Sequence, residues 1–283
     1  MEEPLKAQTT VKVTCIVDNA VRPGSRFWGE HGLAFLIETE CGRVLFDTGQ
    51  SGTVLLHNLQ AAGIELATIS AVALSHAHYD HTGGLRALLQ QTGRIALYAH
   101  PDLFRERFSR HGTEIEKIGP SMSREDLLVR VDLRLSDQPQ QVLPGVYTTG
   151  EITSRLEPEG RSVRHLIREG NGWIADPYRD DLSIVLDVPQ GLALICGCCH
   201  AGLLNTLRHV RAAFDGELVA ILGGMHLADM NEEQMQHVVQ ALRAYNTPQL
   251  HPNHCTGERA HVTLVNAFGA RVSPCPAGTQ LTF

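Results

Sequence analysis

Four side chains of metal-ligand type, His76, His78, Asp80 and His81, fall within six positions of the run Ser75-His-Ala-His-Tyr-Asp-His-Thr-Gly-Gly84. Such a run demands a fold that holds a short loop rigidly. Imidazole and carboxylate are donors for zinc, iron or manganese, and three His plus one Asp this close cannot all reach one tetrahedral ion from a single loop. The spacing therefore predicts two adjacent metals. Ile69-Ser-Ala-Val-Ala-Leu74 reads as a short buried strand, so the ligands leave a strand end. His76 and His78, two apart in extended chain, point to one side, and the turn that follows brings Asp80 and His81 in from another. Leu85-Arg-Ala-Leu-Leu-Gln-Gln91 has helical spacing and stops at Gly93, which clamps the loop between a strand and a helix.

Composition bounds the rest. A chain of 283 residues that is 43% hydrophobic can bury one large core, and it has no Gly/Ser- or Pro-rich linker to divide it, so residues 1–283 are expected to form a single domain. A net charge of −7 and a pI near 6.1, without a Lys/Arg cluster, argue against nucleic acid or an anionic membrane as partner and for a small-molecule substrate. No apolar run reaches the length of a membrane span, and Met1-Glu-Glu-Pro-Leu-Lys6 lacks the basic start and apolar stretch of an export signal, so a cytoplasmic protein is expected. The seven cysteines show no disulfide rhythm and read as reduced thiols. Three of them, Cys196, Cys198 and Cys199, crowd against His200, and Cys255 follows His254.

Strand-like segments occur near 11–17, 33–38, 43–47, 69–74, 94–98, 183–188, 191–196 and 218–222, and helical spacing follows many of them, at 52–62, 202–213 and 231–243. The last helix opens with an Asn cap and two Glu in its first turn. This order predicts a layered α/β sandwich. A strand running through Leu192-Ala-Leu-Ile-Cys196 into Gly197 and then a helix places Cys198 and His200 on one face, where either or both could bind metal. His226, after Leu222-Gly-Gly-Met, also follows a strand and is a candidate for coordination, substrate contact or proton transfer. His254 follows a short apolar strand whose turn is restrained by Pro252, with His251 and Cys255 placed to orient it. Asp47, in Asp-Thr-Gly49, is expected to shape the turn beneath the site.

The His-x-His-x-Asp-His run resembles the signature of the metallo-β-lactamase superfamily, and Val44-Leu-Phe-Asp-Thr-Gly49, about thirty residues upstream, resembles that superfamily's step from a hydrophobic strand into Asp-Thr-Gly. The pieces Glu30-His-Gly-Leu-Ala-Phe-Leu-Ile-Glu-Thr39, Gly145-Val-Tyr-Thr-Thr-Gly-Glu-Ile152, Gly197-Cys-Cys-His-Ala-Gly202, Gly223-Gly-Met-His-Leu227 and His254-Cys-Thr-Gly257 are similar to the branch named for a dihydropterin ribofuranosyl-aminobenzene phosphate synthase. The resemblance implies an αββα sandwich, two mixed sheets flanked by helices, with two related αβ halves facing each other. It implies His200 as the third ligand of a first metal beside His76 and His78. His254 would close a second site with Asp80 and His81. Where many members carry a Gly-Asp pair whose carboxylate bridges both ions, this chain has Gly197-Cys198, so Cys198 is expected as a thiolate ligand. The chain also departs from the common pattern in having no Pro-Gly-His-Thr segment between His81 and Cys198. His100, His111 and His165 lie in that interval without strand-end context and are set aside as surface or core residues.

Two divalent ions, zinc first with iron and manganese as alternatives, would lower the pKa of a shared water, and the resulting metal-bound hydroxide would attack an ester, lactone or phosphoester. Asp80 would orient it and receive a proton, and His226 is the second catalytic candidate. The branch resemblance offers a transferase instead, in which the metals activate a diphosphate leaving group for displacement by an aryl amine. The thiols at 196, 198, 199 and 255 leave a third reading, a non-catalytic metal-binding or redox-responsive protein. Segments 101–140 and 152–181 are expected as substrate-covering insertions. Arg155, Arg161, Arg164 and Arg168 could clamp a phosphorylated or anionic substrate, and Glu151 is placed near the site by the branch resemblance.

Overall fold

The computed structural model describes residues 10–283, so the Met1–Lys6 segment read for an export signal lies outside the described residues. Two large sheets face each other. The first orders its strands Gln280–Thr282, Lys12–Val17, Ala34–Thr39, Gly42–Phe46, Ile69–Ala73, Ile95–Ala99 and Val131–Leu135. The second runs Gln249–Asn253, Leu218–Gly224, Gly191–Cys196, Ser183–Val188, Val146–Thr148 and Gln140–Leu143. Each sheet is mixed, with parallel pairs where a helix carries the chain over and antiparallel pairs where a short turn suffices.

The strands read as unbroken apolar runs because both of their faces are buried. Phe35, Ile37, Val44 and Phe46 point inward against Ile184, Leu186, Ile195 and Leu222 of the opposite sheet. Their neighbours Leu36, Leu45 and Val72 point outward under Leu55 and Leu59 of the helix Gly52–Ala61 and Leu85 and Leu88 of the helix Leu85–Leu89. On the far side Leu194 and Ile221 meet Leu204 and Leu207 of Leu203–Ala213 and Val238 of Glu232–Ala244. Alternation along each strand thus assigns successive residues to the middle core and an outer core. This is the expected αββα sandwich. No helix of the described residues is long and apolar enough to cross a membrane.

The strand ends that carry the motifs bring the two sheets into direct contact. A Cβ on Gly197 would collide with the Ser75 side chain, so only glycine lets the second sheet's strand end approach the loop that follows Ile69–Ala73.

The expected insertions are more divided than their boundaries imply. Arg107–His111, Glu114–Lys117, His165–Glu169 and Gly172–Ala175 form a separate four-stranded antiparallel sheet, built from one hairpin of each segment. Val131–Leu135, inside 101–140, belongs instead to the first large sheet as a parallel partner of Ile95–Ala99. Its alternating Val-Asp-Leu-Arg-Leu suits an edge strand.

Arg107, fully buried, fastens this small sheet to the ligand loop. Its guanidinium pairs with Asp176 at 2.9 Å and Asp180 at 2.6 Å, and the other Asp180 oxygen accepts the Ala77 N–H at 2.8 Å. Burial pushes the Asp180 carboxyl up from its ordinary range, against the opposing pull of Arg107. Removing the cation would leave two uncompensated carboxylates, so Arg107→Met is expected to cost about 3–5 kcal/mol in denaturant unfolding. Adding Asp176→Asn and Asp180→Asn should return most of that loss. A single-variant cost inside the error of the measurement would contradict this account.

Candidate metal centre

Ser75 and the loop that follows bring their side chains to the floor of a cavity at the junction of the sheets. His76 Nε2 lies 3.0 Å from His78 Nδ1, and the donors of His76, Cys198 and His200 all fall within 4.8 Å of one another. On the other side His81 Nε2 is 3.3 Å from Cys198 Sγ, 3.3 Å from His254 Nε2 and 3.6 Å from an Asp80 oxygen. That oxygen is 3.5 Å from His254 Nε2 and 3.2 Å from His31 Nε2. His76, Cys198 and His200 thus form one group and His81, Cys198 and His254 a second that shares Cys198, while Asp80 groups with His31 and His254, and His78 joins through its contact with His76.

Tautomers follow from the surrounding hydrogen bonds. Asp47 is buried in a left-handed backbone position, φ 60°, at the end of Gly42–Phe46. One carboxylate oxygen accepts the Ser75 N–H, and the other accepts both the Ser75 hydroxyl and His81 Nδ1–H, each at 2.7 Å. Since the Ser75 hydroxyl proton goes to Asp47, His76 Nδ1–H must donate to Ser75 Oγ, 2.8 Å away. His200 Nδ1–H donates to the Gly160 carbonyl at 2.8 Å, and His254 Nδ1–H to the Asn19 side-chain oxygen at 3.0 Å. His76, His200 and His254 therefore turn an unprotonated Nε2 into the same space, and His81 turns its Nε2 there too, free for a metal once that ring gives up its second proton.

The donor set fits divalent cations. His200 Nε2 is buried without a hydrogen-bond partner. Tetrahedral zinc with nitrogen and sulfur ligands at its usual bond lengths puts neighbouring donors about 3.3–3.8 Å apart. The separations of 3.3–3.6 Å among His81, Cys198, His254 and Asp80 lie at that spacing, and the 3.0 Å between His76 and His78 is shorter than it. Electrostatics agree. Burial, reinforced by neighbouring imidazoles, holds His76, His78 and His200 well below the ordinary histidine pKa, and it lowers His254 to about 3. Burial opposes protonation of His81 too, but Asp47 and Asp80 outweigh it and raise this ring to about 9. Metal binding there displaces a proton. Burial likewise opposes ionisation of Asp80, yet His81 and His31 keep its carboxyl well below the usual range.

The cavity above this floor has a volume of about 550 Å³. Its far wall is the small sheet, which contributes Ser109, His111, Glu116, Lys117 and His165, with Arg164 just before His165–Glu169. His165 and His111, set aside on sequence grounds, therefore line the site. His165 reaches it because its strand pairs with Arg107–His111, and its Nδ1 meets the Tyr178 hydroxyl at 2.8 Å. Burial lowers its pKa to about 4. Tyr178 also stacks on His200 with ring centres 4.2 Å apart. His31 is a further residue the sequence reading did not single out, although it lies in the Glu30-His-Gly piece quoted for the resemblance. His226, at φ 45°, lines the cavity with its ring 4.6 Å from His200 but stands outside the ligand groups.

Several expectations are corrected here. Arg155 is spent on the carbonyls of Ile152, Pro177 and Tyr178, Arg161 on Glu159, and Arg168 on the Trp173 ring. Of the four arginines, Arg164 alone lines the cavity. Glu151 pairs with Arg179 and approaches His100, outside the lining. His251 turns to the Ser273 carbonyl instead of orienting His254, whose backbone N–H is held by Asp18 at 2.8 Å. Cys255 does border the cavity, and its thiol donates to the Cys198 carbonyl at 3.7 Å.

Comparison with known proteins agrees with this geometry. The sequence profile of the metallo-beta-lactamase superfamily matches residues 28–198. The chain is 28% identical over 287 residues to the 7,8-dihydropterin-6-methyl-4-(beta-D-ribofuranosyl)-aminobenzene-5'-phosphate synthase of Methanocaldococcus jannaschii, spanning 96% of this chain and 97% of that one. Among solved structures, Tm1679, described as a metal-dependent hydrolase of the beta-lactamase superfamily, superposes with a TM-score of 0.82 at 24% identity over 96% of this chain and 98% of its own. The fold protein YhfI from Bacillus subtilis gives 0.58 at 12% identity, covering 97% and 99%.

Asp47 touches no candidate ion position, yet it sets the protons of two ligands. Asp47→Asn is expected to weaken zinc binding about 10- to 100-fold, read by competition with a chromophoric chelator. Unaltered affinity would contradict the role assigned to this carboxylate.

Proposed function

The chain belongs to the metallo-β-lactamase superfamily, and from that premise we propose that it is a two-metal hydrolase of a small anionic ester, lactone or phosphoester. The observation that carries this reading is the convergence of two donor groups on Cys198 at the floor of a cavity whose wall carries Arg164 and also Lys117, which is paired with Glu106 at 3.0 Å. His76, His78 and His200 would hold one ion, and Asp80, His81 and His254 the other, with Cys198 in reach of both. Bound zinc, or iron or manganese in its place, supplies Lewis acidity toward the substrate oxygen and toward a water.

The chain's own groups do the remaining work. Arg164 attracts and orients an anionic group, with Lys117 able to turn to it from Glu106, and the small sheet covers it, as the two insertions of a single domain would. Asp80, kept ionised by His81 and His31, accepts a hydrogen bond from the attacking group. His226 is kept neutral chiefly by burial and can take or return a proton at a ring nitrogen facing the cavity.

A second reading is favoured by the similarity to the methanogen synthase across nearly the whole length of both chains. Arg164 on the same wall would then help hold a diphosphate leaving group, and an aryl amine would take the place of water.

The two readings part in one assay series. Zinc-loaded protein given aryl phosphodiesters and lactones should turn over, stop when chelated and recover on metal return. His78→Ala and Asp80→Ala are expected to lower kcat by about 100-fold or more. Lys117→Ala and Arg164→Ala should act mainly on KM. Diphosphate release that appears only when an aryl amine is supplied would replace hydrolysis with transfer. Stoichiometric metal with neither activity would refute both.

A further inference from the structure

Cys198 and Cys255 leave the ends of two parallel strands, Gly191–Cys196 and Gln249–Asn253, that are not neighbours in their sheet. Leu218–Gly224 runs between them. Strands one place removed lie about 9.6 Å apart, too far for two thiols to touch while a side chain stands between. Here the intervening strand ends in Gly223-Gly224. A Cβ on Gly224 would strike the Gly197 carbonyl and lie 2.7 Å from Cys255 Sγ, so its absence opens the gap through which the two outer chain ends meet. Cys255 Sγ also donates to the Cys198 carbonyl at 3.7 Å, and both side chains line the same cavity.

We propose that Cys198 and Cys255 form a reversible disulfide that removes the shared ligand from both metal groups, making the site responsive to peroxide. The inference rests on the metal reading above. Both thiols line the cavity, but Cys255 is the one peroxide reaches first, since it is half-buried whereas Cys198 is buried. Cys196 and Cys199 share one apolar core and Cys15 and Cys275 another, but all four residues are buried and none belongs to a ligand group. Cys41 is exposed and far from the others in sequence.

The chemistry balances with hydrogen peroxide as oxidant. Cys255 Sγ attacks one peroxide oxygen, the O–O bond breaks, and water leaves a sulfenic acid. Cys198 Sγ then attacks Cys255 Sγ, the S–O bond breaks and a second water departs. Two thiols and one peroxide give one disulfide and two waters, with a solvent proton completing the second water when Cys198 begins as a thiolate ligand.

Zinc-loaded protein treated with one equivalent of hydrogen peroxide should release metal, read by a chromophoric chelator, in step with a disulfide that tandem mass spectrometry assigns to Cys198 and Cys255. Dithiothreitol should reverse both. Cys255→Ser should slow release at least about tenfold at the same dose. Release from that variant at the parent rate, or a disulfide map showing Cys196–Cys199 without Cys198–Cys255, would overturn the proposal. Protein that takes up no metal would refute the metal reading instead. In that case oxidation of the metal-free protein still decides the pairing, which its disulfide map either contains or lacks.

Discussion

A single buried carboxylate organises the floor of this molecule. Asp47 accepts three hydrogen bonds, two from Ser75 and one from His81, and through the Ser75 hydroxyl it also fixes which nitrogen of His76 carries the proton. Were either ring to take the other tautomer, an N–H would point into the space where donors converge. Each would then repel a cation where it now attracts one. The carboxylate is placed by a left-handed backbone at the end of one strand, and it reaches the loop leaving the adjacent parallel strand. Local backbone geometry thus becomes ligand chemistry with no flexible part between them.

The same economy governs the contact between sheets. Donors this close, in surroundings that suppress their charge, gain nothing from one another, because an unprotonated nitrogen facing another is unfavourable. Packing must impose the arrangement, and the imposing force is the burial of Phe35, Ile37, Phe46, Ile184, Ile195 and Leu222 between the layers. Hydrophobic association of two faces presses the strand ends together, and Gly197 permits the last approach. An ion is then the natural occupant, since it converts enforced crowding of lone pairs into coordination. The raised affinity of His81 for a proton reflects the same field, which any single positive charge at that point would satisfy.

Much of this was legible in the sequence because it is local. Each of the eight strand segments expected is present, since β-branched and leucine runs bounded by turns leave few alternatives. The ligand candidates were legible for a related reason: each follows a strand, and strand ends of facing sheets point to one place. Contributions made through non-local pairing were not. His165 carries no local mark of function, and it enters the cavity only through the register of its strand with Arg107–His111. Arg107 sits among Arg105, Glu106 and Arg110 and reads as a solvated charge. Its burial depends on Asp176 and Asp180, some seventy residues away, which no spacing rule connects to it. The clamp suggested for Arg155, Arg161 and Arg168 failed for the converse reason, as each finds carbonyl, carboxylate or aromatic partners within its own segment.

This division between local and non-local parts bears on how selectivity is built. The sandwich ends are fully engaged in holding donors, so little of that surface is free to read a substrate. The groups left to do so, Lys117, Arg164, His111 and His165, stand on or beside the small sheet, whose two hairpins are separate excursions of the chain. That sheet is tied to the ligand loop by Asp180, which holds the Ala77 N–H between the first two histidines while it pairs with Arg107. Movement of the wall would therefore be felt at the floor through one carboxylate. A chain can alter the hairpins' exposed residues without touching the centre, but it cannot alter Arg107 or its partners without disturbing the position of His76 and His78. Variation in what is bound and constancy in what is held are thereby assigned to different side chains of the same two strands.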